Sequence, residues 1–388
     1  MCLPGAHDLA NGTKLQGVTT TQTRSLAKIA KHFTEASGVS TALAKTEHAQ
    51  GTRGFWLLKK GDSKGRYAVS CRHVWNVDNF IKKQENTEYI YKRGTGMAKL
   101  EVAWPVDMSG IKKMVHATRR YQQILLEDAD KDIASADSEE SHEFKDAMQR
   151  KMQAEHTLTE LMHVENSIIT PREKIKDRTS GYVVWSPPIA MDPQTGYKSD
   201  MAIAVSYENT HSPDDLENYI VLGDKFNHEQ LNECLVGGSA NPARFKYPSN
   251  GKLVFKTSVT PIATLLKGTH IDEDGMEMEE TRVLKDGMAT GLTMGCLDSM
   301  WGEYSVKMPD GSTHLRRELV IVGVKVNGGR YDFSGSAIVR CIGDQAELVG
   351  MLTGGQGLTT NLDITWATPA EILQRQWAAQ GFYLPGKE

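Results

Sequence analysis

The chain holds no apolar run of the roughly twenty residues a helix needs to cross a bilayer, so no membrane partner is expected. Its first residues, Met1-Cys2-Leu3-Pro4-Gly5-Ala6-His7-Asp8, lack the positive start and apolar stretch of a secretory leader. Cysteine is scarce. The five present (Cys2, Cys71, Cys234, Cys296 and Cys341) are odd in number and far apart, with no CxxC or CxxH pair. That argues against both a disulfide framework and a structural zinc site, and reduced thiols predict a cytoplasmic protein. An excess of positive charge is missing too. Lys and Arg total 45 against 49 Asp and Glu, a net charge of −4, which gives no footprint for nucleic acid. Gly291, Gly295, Gly354, Gly355 and Gly357 are followed by no GK[ST], so no phosphate-gripping loop and no cofactor are expected. With 39% hydrophobic and 24% charged residues, what is left is an ordinary globular chain whose 388 residues leave room for more than one domain.

A local scarcity then divides the chain. Glycine and proline drop out between Gly110 and Pro171. Apolar residues recur there at helical intervals: Tyr121, Ile124 and Leu125, then Phe144, Met148 and Met152, then Leu158, Leu161 and Met162. The polar Asp137-Ser138-Glu139-Glu140 reads as a break with a capping residue. The pattern predicts two long helices forming an antiparallel hairpin over 108–180. Two readings stand for it: a spacer with a solvated charged face, or a contact arm for a protein partner or a second copy through its Met-rich stripe.

Elsewhere short apolar runs alternate with Gly-rich turns. Gly54-Phe55-Trp56-Leu57-Leu58 and Arg66-Tyr67-Ala68-Val69-Ser70-Cys71 flank the turn cluster 61–65 and predict a β-hairpin ending on His73. Strand-like runs resume at Tyr182-Val183-Val184-Trp185 and continue from Lys252 to Thr368. Many short strands with Gly-rich turns argue for antiparallel sandwiches or barrels. Residues 1–50 read as an N-terminal arm with a short helix. The segment from Pro369 to Trp377 reads as a terminal helix, with Thr368 as N-cap and proline in its first turn.

Three segments carry chemistry. Ser70-Cys71-Arg72-His73-Val74 puts a histidine at the end of a strand-like run. Ser199-Asp200-Met201-Ala202-Ile203 opens an apolar strand with an aspartate. Asp332-Phe333-Ser334-Gly335-Ser336-Ala337 places a serine on a turn before another such strand. Singly, each has a plainer role: turn chemistry for the serine, a half-buried side chain for the histidine, a strand-edge breaker for the aspartate. Together they run His, Asp, Ser, the chain order of the chymotrypsin-type triad and of neither subtilisins nor α/β-hydrolases. A hydroxyl is a weak nucleophile until an imidazole takes its proton, and that imidazole needs a carboxylate to fix its tautomer. Two other clusters read blandly. His270, Asp272, Glu273 and Asp274 lack EF-hand spacing and suit a solvated hairpin tip, so no metal is expected. Cys71, two residues before His73 and able to share its face, suits a packed small side chain better than a nucleophile.

These segments, with Gly287-Met288-Ala289-Thr290-Gly291-Leu292-Thr293-Met294-Gly295, the run Val349-Gly350-Met351-Leu352-Thr353-Gly354-Gly355 and Trp366-Ala367-Thr368-Pro369, resemble trypsin/chymotrypsin-like serine peptidases. Among these, the chain is most similar to the intracellular trypsin-like domains found in fungi. The resemblance covers about 51–107 and 181–380. It implies a mostly β fold of two antiparallel six-stranded β-barrels with an inserted helical hairpin and a C-terminal helix. The first barrel would be 51–107 with 181–240, and the second 241–388. It further implies a serine endopeptidase that cuts polypeptides through an acyl-enzyme, without cofactor. His73 would be the general base, Asp200 its orienting carboxylate and Ser334 the nucleophile. Backbone amides of Asp332, Phe333 and Ser334 would form the oxyanion hole, and Gly328, Thr353, Gly354 and Gly355 would bind substrate. The segment departs from the family's Gly-x-Ser-Gly, since Asp332 and Phe333 stand before Ser334. An aspartate replaces a glycine whose backbone freedom suits the hole, and losing one such donor typically costs about 10²–10³ in rate. The alternative is therefore an inactive peptidase fold serving as a protein-binding or regulatory module. No acid stands directly before Ser334, so activation by N-terminal cleavage is not expected. No acid stands at the aligned pocket base either, which favours a small or apolar residue before the cut.

Overall fold

A computed structural model of the protein describes residues 26, 28–80, 86–207, 216–223, 226–236, 245–266, 270–271, 277–278, 280–288, 290–307, 313–324, 336–355 and 364–386. Its chain divides into two units, one of 1–34 with 107–178, the other of 35–106 with 179–388. Among the described residues no helix is long and apolar enough to cross a membrane.

The first unit is built on helices α1 (Met108–Ser135) and α2 (His142–Val164). Each start is fixed by a side-chain cap. Asp107 Oδ1 accepts the Gly110 N–H at 2.9 Å, and Ser141 Oγ accepts the Phe144 N–H at 3.1 Å. The cap after the break is thus Ser141, just past the polar run Asp137–Glu140. The packed faces are not the Met-rich stripe. Tyr121, Ile124, Met148, Met152 and Met162 are all exposed, whereas Ala129, Ala147, Ala154, Thr157 and Leu161 are buried. Small side chains let two helices approach closely, and of the periodic apolar residues expected from the sequence Leu161 is the buried one. Leu26, Ile29, Ile111, Val115, Val164, Ile168 and Ile169 complete this unit's apolar cluster. Past Val164 the helix widens into a π-helical turn, Glu165–Ile169.

The second unit starts earlier than the sequence suggests. Strand β1 (Val39–Leu43) lies inside the stretch read as an arm, yet all five residues are buried. Its polar members hide it from an apolar-pattern reading and are satisfied in place. Thr41 Oγ1 donates to the Ala103 carbonyl at 3.0 Å, and Ser40 Oγ accepts the Val106 N–H at 3.0 Å. Along the chain follow β2 (Gly51–Arg53), β3 (Phe55–Lys59), β4 (Asp62–Ser70), β5 (Tyr89–Ile90), β6 (Glu101–Ala103) and β7 (Thr179–Ser186). Next come the small ladder of β8 (Ala190–Met191) with β9 (Lys198–Ser199), then β10 (Ala202–Ser206), β11 (Tyr219–Val221) and β12 (Lys252–Val259). A second small ladder joins β13 (His270–Ile271) to β14 (Glu277–Met278). The rest are β15 (Glu280–Gly287), β16 (Gly291–Lys307), β17 (Thr313–Gly323), β18 (Ala337–Ile342), β19 (Gln345–Gly355) and β20 (Ile364–Pro369). Helix α3 (Ala370–Ala379) and β21 (Phe382–Tyr383) close the chain.

Two β bodies result. In the first, the order is β2-β1-β6-β7-β10-β4-β3-β21, with β5 on β7. The run 51–59 kinks at Gly54 and works twice: β2 pairs β1, and β3 pairs β4. At the kink Gly54 N–H donates to Val69 O at 2.8 Å and Ser70 Oγ to Thr52 O at 2.8 Å. This curls the ladder into a half-barrel. The β3–β4 turn is tighter than the five-residue cluster in the sequence, because Lys59 already pairs Asp62 and Gly61 takes φ +80° between them. In the second body, β15, β16, β17, β18, β19 and β20 form a closed six-stranded barrel, the β19–β20 pairing completing the ring. Closure leaves these strands no free edge. Their alternation fills the interior: Leu319 and Ile321 of β17 are buried beside Val283, Leu297, Ile338, Val349 and Leu352. Pairing is antiparallel except that β12 joins β19 in parallel.

A shared apolar core runs through both bodies and takes in α3, where Trp377 packs edge-on against Phe55 at 5.5 Å. The α3 N-cap position is Pro369, with no side-chain cap. Thr368, expected there, still lies in β20 and donates its hydroxyl to the Lys198 carbonyl at 2.7 Å instead.

Candidate active site

The β4–β10 ladder and the turn after β4 bring His73 and Asp200 together. In the antiparallel β4–β10 pair, Ala202 stands opposite Ser70 and Ile203 opposite Val69. Asp200 lies two residues before Ala202, and His73 lies three beyond Ser70, in the turn that follows β4. Asp200 Oδ2 lies 2.6 Å from His73 Nδ1, and Asp200 Oδ1 accepts the His73 backbone N–H at 3.3 Å. One carboxylate therefore holds both the ring and the backbone of the histidine.

The supports of this pair are local and buried. Arg72 is fully buried, donates to Asp78 Oδ1 and hydrogen-bonds the carbonyls of Thr87, Ser186 and Pro187, which fixes the turn carrying His73. Asn76, three residues on, takes φ +45°, a left-handed conformation that asparagine tolerates better than most. Ser199 Oγ donates to Gln376 Oε1 of α3 at 2.7 Å, and Ser186 Oγ to the Met201 carbonyl at 2.8 Å. The two neighbours of Asp200 are thereby pinned on either side.

Exposure splits the pair. The Asp200 side chain is 1% exposed and that of His73 is 50% exposed. Burial alone would raise the Asp200 pKa. The hydrogen bond and charge of His73, with Lys198 beside it, outweigh burial and hold the carboxyl below the usual aspartate range. The reverse holds for Cys71. Burial, then the Asp200 charge, push its thiol well above the ordinary value, and its Sγ donates to the Leu352 carbonyl at 3.1 Å. It is a packed thiol rather than a nucleophile.

Cys71 Sγ, a His73 ring nitrogen and an Asp200 oxygen lie within 4.8 Å of one another, near enough to surround a cation. The chemistry opposes one there, since the Lys198 ammonium already stands 3.6 Å from Asp200 Oδ2 and the thiol would have to ionise.

Of the expected binding residues, Thr353 donates from Oγ1 to Glu318 Oε1 at 2.9 Å. Gly354 and Gly355 follow on β19 and pair with Trp366 and Thr365 of β20. A Cβ on Gly354 would meet open space, so this strand face has room beside it. Gly328, Asp332, Phe333 and Ser334 lie outside the described residues. The chain is described again from Ser336, whose carbonyl accepts the Leu352 N–H at 3.0 Å. Leu352 is the residue whose carbonyl meets Cys71. Two residues of the site escape a reading of the sequence: Lys198 and Glu318. Their signals are slight, a lysine two positions before Asp200 and an acid directly before the apolar run Leu319-Val320-Ile321-Val322.

No family model matches the chain, and no curated protein matches it. Among solved structures, a protease from Nocardiopsis aligns at 10% identity and TM-score 0.35, over 91% of this chain and 99% of its own. Thermobifida fusca protease A aligns at 11% identity and TM-score 0.35, over 91% and 99%. A glutamic acid-specific serine protease, described as using a histidine triad in substrate binding, aligns at 12% and 0.33, over 90% and 99%. Overlaps of that size leave the fold to rest on the strand ladders, and the chemistry on the residues.

Proposed function

We propose that this chain is a serine endopeptidase acting on polypeptides without a cofactor. Ser334 attacks the scissile carbonyl while His73 takes its proton. Asp200 holds the His73 tautomer and stabilises the imidazolium. Backbone amides of Asp332, Phe333 and Ser334 receive the developing oxyanion. His73 then returns the proton to the departing amine, leaving an acyl-enzyme, and activates the water that hydrolyses it. Thr353, Gly354 and Gly355, with Gly328, line the substrate strand and primary pocket, and a small or apolar residue precedes the cut. The narrower likeness to intracellular fungal domains, and a cytoplasmic setting, belong to the same proposal.

One observation carries this reading. The carboxylate of the His73–Asp200 pair is sealed from water while its imidazole is half open to it. A histidine kept for packing is buried with its partner; one that passes protons must keep a face free. The hydrogen bonds joining Ser336, Leu352 and Cys71 add support, since they tie the strand after Ser334 to the segment bearing His73. A second reading, an inactive peptidase fold used for binding, draws on Asp332 standing where the family has glycine. A fluorophosphonate probe separates the two. Labelling that vanishes in Ser334→Ala and in His73→Ala supports the peptidase. Absence of labelling in protein with native circular dichroism supports the binding module.

A further inference from the structure

Asp200 has a neighbour that the peptidase chemistry leaves unused. Lys198, on β9, has a side chain 12% exposed, with Nζ 3.6 Å from Asp200 Oδ2 and 3.7 Å from Glu318 Oε1. Glu318, on β17, is 1% exposed, and the same Oε1 accepts the Thr353 hydroxyl at 2.9 Å. A row thus runs Asp200, Lys198, Glu318, Thr353, its two carboxylates buried and its members drawn from segments far apart in the chain. The fields overlap at one point: the Cys71 thiol, raised chiefly by burial, is raised further by Asp200 and by Glu318 and lowered by Lys198.

Buried ion pairs are seldom kept for stability, because apolar residues of similar volume often do as well or better. The geometry gives this one another use. A single oxygen, Asp200 Oδ2, meets both the His73 ring and the Lys198 ammonium. A cation at that oxygen competes with an imidazolium for the same negative charge, and a carboxylate behind the cation gives the charge back. We infer that Lys198 and Glu318 are a positioning pair that sets how much of the Asp200 charge reaches His73, Lys198 withdrawing it and Glu318 restoring it. Both act through Asp200 rather than on the bond being cut. Around the pair, Cys71 faces Asp200 from the His73 segment and stays a thiol, Lys198 faces it from β9, and Glu318 stands behind Lys198 on β17.

This inference rests on the peptidase reading only in its kinetic arm. The primary test is an NMR titration of the His73 ring signal in the full chain, comparing the parent with Lys198→Met, Glu318→Gln and the double variant. The midpoint should rise in Lys198→Met and fall in Glu318→Gln. The Lys198→Met move is expected to be on the order of one pH unit, as for a unit charge in a partly screened interior, and the Glu318→Gln move smaller, since Glu318 stands behind Lys198. The double variant should fall between the parent and Lys198→Met. In active enzyme the acid limb of kcat/KM should move with the ring signal. Single variants that move together, or that leave the midpoint in place while circular dichroism stays native, overturn the inference. Should Lys198→Met fail to fold, Glu318→Gln and the double variant still carry the test, since their midpoints must differ in the stated order. Failure of the parent to label with fluorophosphonate would end the peptidase reading and leave the NMR result standing.

Discussion

Two aspartates of this chain hold a nitrogen at nearly the same distance. In the helical unit, Asp132 Oδ2 is 2.8 Å from Arg150, with side chains 51% and 45% exposed. In the β unit, Asp200 Oδ2 is 2.6 Å from His73 and is 1% exposed. Distance does not separate these contacts; the solvent around them does. On the hairpin, water and salt screen the pair, and holding two long side chains costs about what the attraction returns. At Asp200 the partners are held by the β4–β10 ladder and by hydrogen bonds to the neighbouring residues, so the charge is fixed in place. The same contrast extends to packing. The β unit folds round large side chains such as Trp75, Trp377 and Phe55, and the helical unit seats its seam on alanines.

The sharpest way to break this comparison is to neutralise Asp200 alone. Under the proposed mechanism Asp200→Asn keeps the shape but fixes the wrong tautomer on His73, and the fluorophosphonate labelling rate should fall by about 10⁴. A loss below tenfold, in protein whose circular dichroism matches the parent's, would mean that Asp200 does not orient a working base. Next comes the packing contrast. Trp377→Ala empties a site 1% exposed between α3 and Phe55 and should cost about 3–5 kcal/mol in denaturant unfolding. Met152→Ala, at a position 64% exposed on α2, should stay within about 0.5 kcal/mol. Similar costs at the two sites would erase the difference between the units.

Acid offers a third test. The Asp200 carboxyl is held below its ordinary range in the folded protein. Its contribution is therefore fully present above the unfolded value near pH 3.9 and is lost as pH falls through the folded one. The melting temperature of the parent should exceed that of Asp200→Asn at about pH 6, and the gap should narrow toward about pH 3. A gap that widens on acidification would reverse the assigned sign.

What could be read from the chain, and what could not, follows the same division. The β3–β4 hairpin and both members of the His73–Asp200 pair were legible because each sits where an apolar strand begins or ends, and strand register does the rest. The existence of the two helices was legible from the loss of glycine and proline. Their buried faces were not: periodicity marked Met148, Met152 and Met162, whereas close approach selected Ala147 and Ala154. Strand β1 was hidden by Ser40 and Thr41, whose hydroxyls find partners far along the chain: the Ala103 carbonyl and Trp75 indole for Thr41, the Val106 N–H for Ser40. Thr368 had the local chemistry of a cap, and a distant carbonyl claimed it first. Lys198 and Glu318 were illegible for the same reason, since an ion pair across separate strands leaves no spacing in the sequence.

The smallest expected effect is the one that fixes the scale of the comparison. Arg150→Ala removes the partner of Asp132 on a solvated helix face, and the cost in denaturant unfolding should be below about 1 kcal/mol, shrinking further as salt is added. If that variant instead cost several kcal/mol, the hairpin's charges would be acting as a connected network rather than as screened pairs. The neighbouring Lys151–Asp130 contact at 2.7 Å would be its first member. A double-mutant cycle between Arg150 and Lys151 would then give a coupling well above the few tenths of a kcal/mol that independent sites show. Near-additivity, the outcome expected here, keeps the hairpin's charges as separate screened pairs, in contrast to the His73–Asp200 contact, whose carboxylate is sealed from water.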